Sequence, residues 1–159
     1  MRTVDRVVMR APKHEVWRAA SEVERWPALL SHYRWVRFLE QRADGGVVEM
    51  SANRPFGPLD WPTWWVSEMW IEPARHVVRY RHVRGITTGM DVEWSLQDTA
   101  DGVDVTIVHE WSGPGWPLIR RPAAAWVIGP VFVHGIASRT LAGLKRAVEG
   151  GTTAVKGTS

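Results

Sequence analysis

The chain has 159 residues, which is the size of one domain and enough to bury a core without covalent staples. It has no cysteine, so disulfides, a thiol nucleophile and a thiolate metal site are excluded. Its 20 basic and 17 acidic side chains leave a net charge of +3, and the basic residues form no recognisable nucleic-acid motif. No apolar run approaches the roughly 18 residues of a membrane span, and the first residues lack a secretory h-region, so the cytoplasm is the expected location. What stands out is 11 Trp against 2 Tyr and 3 Phe, four of them in the ten residues WPTWWVSEMW at 61–70.

Residues 3–10 read as a strand. Pro12 suits the first turn of a helix whose apolar side is Val16, Trp17, Ala20 and Val23, and a short second helix is expected over 24–31 with Pro27 in its first turn. Six strands follow, at 33–42, 46–53, 63–72, 75–84, 88–98 and 103–112, separated by ADGG, RPFGPLD, EPA, RGI and TADG. Met90, Val92, Trp94 and Leu96 alternate with Asp91, Glu93, Ser95 and Gln97, while Val103, Val105, Ile107, His109 and Trp111 share a face of the last strand. One apolar face in period two predicts an antiparallel sheet covered on one side. The strand at 75–84 alternates poorly, which leaves open whether Arg81 or its neighbours Tyr80 and His82 face inward.

A Pro/Gly-rich loop is expected over 113–123, with Trp116 and Trp126 capping a cavity mouth. The last helix is expected to carry the stripe Val127, Val131, His134, Ser138, Leu141, Leu144 and Val148, to be kinked or delayed by Gly129-Pro130, and to end at Gly150-Gly151. The domain is placed at 1–150 and a flexible tail at 151–159. A bent sheet around one long helix leaves a cavity between them, the default binding site.

This α+β order resembles the helix-grip fold of START-like (SRPBCC) domains, and within them the aromatase/cyclases of bacterial type II polyketide synthesis. The stretches that carry the resemblance are APKHEVWRAASEVERWPALLSHY at 11–33, TWWVSE at 63–68, YRHVRGITTGMDVEW at 80–94 and GIASRTLAGLKRAVE at 135–149. The resemblance implies a curved sheet of six to seven strands. It makes Trp26, Tyr33 and Trp94 aromatic cavity residues, Ser67 a pocket serine and Arg81 the arginine that contacts polyketide oxygens. Strand alternation adds Trp65 and Met69 to the side of Ser67, and His109 to that of Ile107. Two positions depart from the family: Met69 stands where a second arginine is expected, and His134 where an amide is expected.

The function implied is cyclisation and dehydration of a poly-β-ketone held on an acyl carrier protein. Arg81, Tyr33 and His134 are the expected catalytic groups, and Trp26, Trp65, Ser67, Met69, Trp94 and His109 the expected ligand contacts. No metal or organic cofactor is expected. The alternative is a non-enzymatic carrier of a quinone or lipid in the same fold, which Met69 favours. A more distant alternative is a protein-interaction module like the ribosome-associated START-like proteins.

Overall fold

The alternation of the last two sheet strands decides which way the sheet faces. In the computed structural model Val92, Trp94 and Leu96 are buried on one side, directly opposite His109, Ile107 and Val105 of the next strand. The structure describes residues 1–56, 59–113 and 133–156, with side chains at 1–53, 60–113 and 133–151. The described elements run β1 (Arg2–Met9), α1 (Lys13–Ser21), a 3-10 turn (Val23–Arg25), α2 (Trp26–Leu29), β2 (Tyr33–Arg42), β3 (Gly45–Phe56) and β4 (Leu59–Glu72). A second 3-10 turn (Pro73–Arg75), β5 (Val77–Gly85), β6 (Asp91–Thr99), β7 (Gly102–Glu110) and α3 (His134–Lys156) complete them. The seven strands form one antiparallel sheet in the order β1-β7-β6-β5-β4-β3-β2.

Helix α3 covers the inner face. Its buried side is Ala137, Thr140, Leu141, Leu144 and Val148, at spacings of three and four. Gly143 lets the helix approach closely, since a Cβ there would stand 2.3 Å from Leu30 Cδ2. Helix α1 buries Val16, Ala19 and Ala20, and the Trp26 side chain enters the same core as those of α3 and the sheet.

Three expectations need correction. The RPFGPLD stretch is not wholly a loop: β3 runs to Phe56 and β4 starts at Leu59. Strand β2 pairs with β3 only as far as Ala52, and β5 with β4 only from Trp65, so among the described residues the far end of this hairpin is a two-stranded arm with no further strand on either side. Prolines 55 and 62 fall in this arm, where no described strand lies alongside to miss a proline N–H. The strand expected from 88 starts at Asp91, because Gly85–Met90 forms a turn closed by Thr88 N–H to Gly85 O and Met90 N–H to Thr87 O. Helix α3 continues through Gly150-Gly151 to Lys156. Neither glycine has a positive φ, so each only weakens the helix by about 1 kcal/mol against alanine and does not stop it. The expected loop beyond Gly113, the helix start around Val127 and Val131, the Gly129-Pro130 kink, and Trp116 and Trp126 lie outside the described residues, as do 157–159.

Candidate functional site

Between the inner face of β3–β7 and the first turns of α3 lies a cavity with a free volume of about 80 Å³. Aromatic rings wall it in sequence. Trp94 lies 5.4 Å from Trp26, which meets Tyr33 edge-on at 5.1 Å. Tyr33 meets Trp65 at 6.3 Å, and Trp65 stacks at 6.0 Å on His82, with planes 15° apart. The Trp26 indole N–H donates to the Ala19 carbonyl at 2.8 Å, so its ring is fixed from behind by α1. Gly85 shapes the rim: its φ is +99°, and a Cβ would stand 2.4 Å from the Trp64 carbonyl oxygen, so a larger residue would push β5 off β4 beside Trp65.

The polar groups are few and neutral. Burial raises the Tyr33 phenol, against a hydrogen bond with Thr140. Tyr80 is 5% exposed and its phenol is also raised by burial, and then by Tyr33. Its hydroxyl has no hydrogen-bond partner among the described residues. His82 is lowered to about 3 by burial and then by His109, and its Nδ1 lies 2.5 Å from Thr87 Oγ1. His109 is lowered to about 4 by burial, with Nδ1 3.3 Å from Thr3 Oγ1. Behind Tyr33, His32 Nε2 lies 3.1 Å from Thr140 Oγ1; it is held at about 4 by burial and then by Arg139 and Arg146. No Lys, Arg, Asp or Glu lines the cavity among the described residues.

Of the expected site residues, Trp26, Tyr33, Trp65, Trp94 and His109 line this cavity. Ser67 and Met69 are on the same sheet face and fully buried, but neither borders the free space. The Ser67 hydroxyl has no partner among the described residues.

Arg81 is a correction. Its side chain is 56% exposed on the outer face and reaches both Asp91 carboxylate oxygens, at 3.1 and 3.2 Å. The buried pair Val78 and Tyr80 sets the parity of β5, so His82 points inward and Arg81 outward. His134 is a second correction. It leaves the cavity side of α3 and pairs with Asp5 of β1, its own side chain 64% exposed. The cavity side runs through Val133, Ile136, Ala137 and Thr140, and His134 is one helical step of about 100° beyond Val133. Asp5 is buried, and burial raises its carboxyl against the His134 interaction.

Tyr80 and His82, the open alternative to Arg81 on this strand, line the cavity, and with Thr87 and Thr140, which were not expected, they supply most of its polar atoms. The sequence signal for the first two was the spacing Val78, Tyr80, His82, obscured because Val77 is buried as well.

Among the described residues no cluster of three or more His, Cys, Asp or Glu side chains is placed to hold a metal, and no helix is long and apolar enough to cross a membrane. The sequence family described as polyketide cyclase / dehydrase and lipid transport matches residues 1–149. A protein of Streptomyces halstedii provisionally named a polyketide cyclase is 31% identical over 102 residues, which is 64% of this chain and 92% of that protein. The crystal structure of TTHA0849 from Thermus thermophilus superposes with a TM-score of 0.78 at 14% identity, over 95% of this chain and 99% of the other. That of the Zhui aromatase/cyclase from Streptomyces sp. R1128 has a TM-score of 0.70 at 18% identity, covering 92% and 95%. These two structural likenesses concern the helix-grip fold.

Proposed function

Because the chain belongs to the polyketide cyclase/dehydrase and lipid-transport family, we propose that it folds a carrier-bound poly-β-ketone inside the aromatic cavity and directs its cyclisation and dehydration. The observation that carries this reading is the Tyr80 hydroxyl, buried in the wall of an aromatic-lined cavity with no partner of its own among the described residues. A chain of alternating carbonyls satisfies both features. Its enolised, flattening segments stack on indole, and its oxygens accept from phenol O–H groups.

Trp26, Tyr33, Trp65 and Trp94 would hold the chain in one bend, which brings one methylene to one carbonyl and supplies most of the acceleration by positioning. Tyr80 would hydrogen-bond a carbonyl oxygen, where negative charge develops in the aldol step, while Tyr33, bonded to Thr140, would hold its ring against the chain. The free volume of about 80 Å³ is well below the roughly 300 Å³ or more of ligand sites. Met50 and Met90, both in the wall, are the flexible side chains that would swing to admit the chain.

A second reading, carriage of a lipid or quinone, draws on the absence of any charged side chain in the described lining and on Met69 in place of the family's second arginine. The two separate in one experiment. A minimal polyketide synthase is run with and without the protein, and products are followed by liquid chromatography–mass spectrometry. A new product that has lost water, and that fades with Trp65→Ala, is the expected result. Unchanged shunt products over several chain lengths, with a lipid or quinone in the native mass spectrum of the purified protein, would establish the carrier instead.

A further inference from the structure

Two histidines line the cavity, and each has its Nδ1 met by a threonine hydroxyl. His82 is held at three points. Its ring stacks on Trp65, its Nδ1 meets Thr87, and its backbone is clamped to the following turn by Gly89 N–H to His82 O at 2.8 Å and His82 N–H to Met90 O at 2.9 Å. Thr87 is itself buried in that turn. His109 lies on β7 opposite Val92, which pairs in turn with Tyr80, so His82 is two strands away and two residues further along, about 12 Å at the backbone. Its Nδ1 is engaged by Thr3. Each ring therefore has Nε2 left to serve the cavity that both line.

We propose that His82 is the proton-transfer group of the cyclisation, with His109 as its neutral hydrogen-bonding partner; the inference rests on the cyclase reading. With Nδ1–H donating to Thr87, the Nε2 of His82 is a base. With Nδ1 accepting from Thr3, His109 presents Nε2–H as a donor. His82 takes one proton from a methylene between two carbonyls, and the resulting enolate oxygen accepts from His109 or Tyr80. The enolate carbon attacks the facing ketone carbon, the carbonyl π pair moves to its oxygen, and that alkoxide takes the proton back from His82. His82 then removes the second proton from the same carbon. The C=C bond forms as the hydroxyl leaves, and the proton on His82 departs with it as water. Protons balance, and no oxidant or reductant is needed. The burial that holds His82 at about 3 makes it a weak base, so the proton it takes is held only as an ion pair with the enolate formed beside it and is returned in the next step, without a fixed cation. The described lining accordingly contains none.

The enolisation half can be tested without a polyketide synthase. An aryl 1,3-diketone is incubated with the full chain in deuterated buffer, mildly acidic to slow the background, and loss of the methylene proton signal is followed by NMR. Binding of the same diketone is measured in parallel by tryptophan fluorescence. The wild-type protein should accelerate exchange. His82→Gln should reduce that acceleration by about 100-fold and His109→Gln by less, with the diketone Kd within about threefold in both. Thr87→Val keeps the imidazole but frees its tautomer, and should lower exchange by roughly tenfold; it serves if H82Q does not fold. Exchange at the wild-type level in H82Q, or in T87V, would overturn the proposal, as would a wild-type protein that binds the diketone without accelerating exchange. Acceleration that depends on His82 in a protein that cyclises no chain would overturn the cyclase reading, and with it the cyclisation role, leaving His82 as a base for enolisation alone.

Discussion

Replacing Tyr80 by Phe separates what the fold needs from what the ligand needs. The Tyr80 hydroxyl is buried and unpartnered among the described residues, a state that costs about 1–3 kcal/mol relative to a satisfied or solvated group. Phe fills the same space and removes that penalty without breaking any hydrogen bond. Taking the lower part of the range, Tyr80→Phe should stabilise the free protein by about 1–2 kcal/mol, which for a chain of this length raises Tm by about 3–6 °C. The same change should weaken a carbonyl-bearing ligand, because its oxygen loses a donor in a dry site. A loss of about 1–2 kcal/mol is a factor of roughly 5–30 in Kd. Tyr33→Phe is the control, since the Tyr33 hydroxyl is bonded to Thr140 and its removal should destabilise. Thermal unfolding by circular dichroism and titration with an aryl 1,3-diketone read both effects. A Tyr80→Phe protein with unchanged or lowered Tm would refute the argument, because the hydroxyl would then be satisfied within the folded protein and would not be held for a ligand.

Two further outcomes depend on the placement of charge. Arg81→Ala should leave the products of the synthase assay and the diketone Kd unchanged, and shift Tm by no more than about 3 °C, since an exposed ion pair such as Arg81–Asp91 contributes about 0–1 kcal/mol; loss of cyclised product would return Arg81 to the site. The second outcome concerns pH. His32, His82 and His109 are held at about 4, 3 and 4, below the unfolded value of about 6.5, so the unfolded chain takes up protons that the folded one refuses. Stability from these residues is complete above about pH 6.5 and falls as pH drops towards 4, by up to about 1.4 kcal/mol per pH unit for each histidine. Asp5, raised by burial, works the other way and stabilises as it gains its proton. Urea midpoints at pH 7, 6 and 5 should fall steeply, and His82→Gln should flatten the fall; an unchanged slope in that variant would show that His82 is solvated.

The parts of the fold legible in the sequence were those where one period dominates. Strands β6 and β7 bury every second residue on the inner face, while most of the alternate residues, Asp104 apart, are partly or fully exposed, so the pattern carried their inner faces and the place of Trp94 and His109. Strand β5 was not legible in this way. Val77 and Val78 are both buried, and Tyr80, Arg81 and His82 are all amphipathic, so each parity had plausible occupants. The decision is tertiary: it lies in the register that sets Tyr80 opposite Val92 and Arg81 opposite the carboxylate of Asp91. The helix stripe failed at His134 for a similar reason. Its spacing to Ser138 and Leu141 fits an apolar side, but a buried Asp5 on the edge strand gives the imidazole a partner just beyond that side. Glycines 150 and 151 read as a stop, yet a glycine ends a helix only where the chain turns to positive φ, and the glycine permits that turn without imposing it.

Cyclisation and lipid carriage, the two activities spanned by the family description, ask different things of one cavity. An alkyl chain or an isoprenoid tail needs apolar area and nothing else, and a buried phenol facing it would be a standing penalty. Phe at 80 would serve such a ligand better and leave the fold more stable. A carrier would also gain nothing from two imidazoles whose Nδ1 atoms are each met by a threonine hydroxyl, since that arrangement fixes ring and tautomer at a desolvation penalty the fold must bear. Tyr80 and His82 on β5 and His109 on β7 all lie on the concave face of the sheet, within the reach of one small ligand segment. With Tyr33, Thr87 and Thr140 they add directional donors and acceptors to a cavity whose remaining described lining is indole, methionine and aliphatic carbon. Such directionality is useful only to a ligand with oxygens at set spacings, and a poly-β-ketone places one on every second carbon.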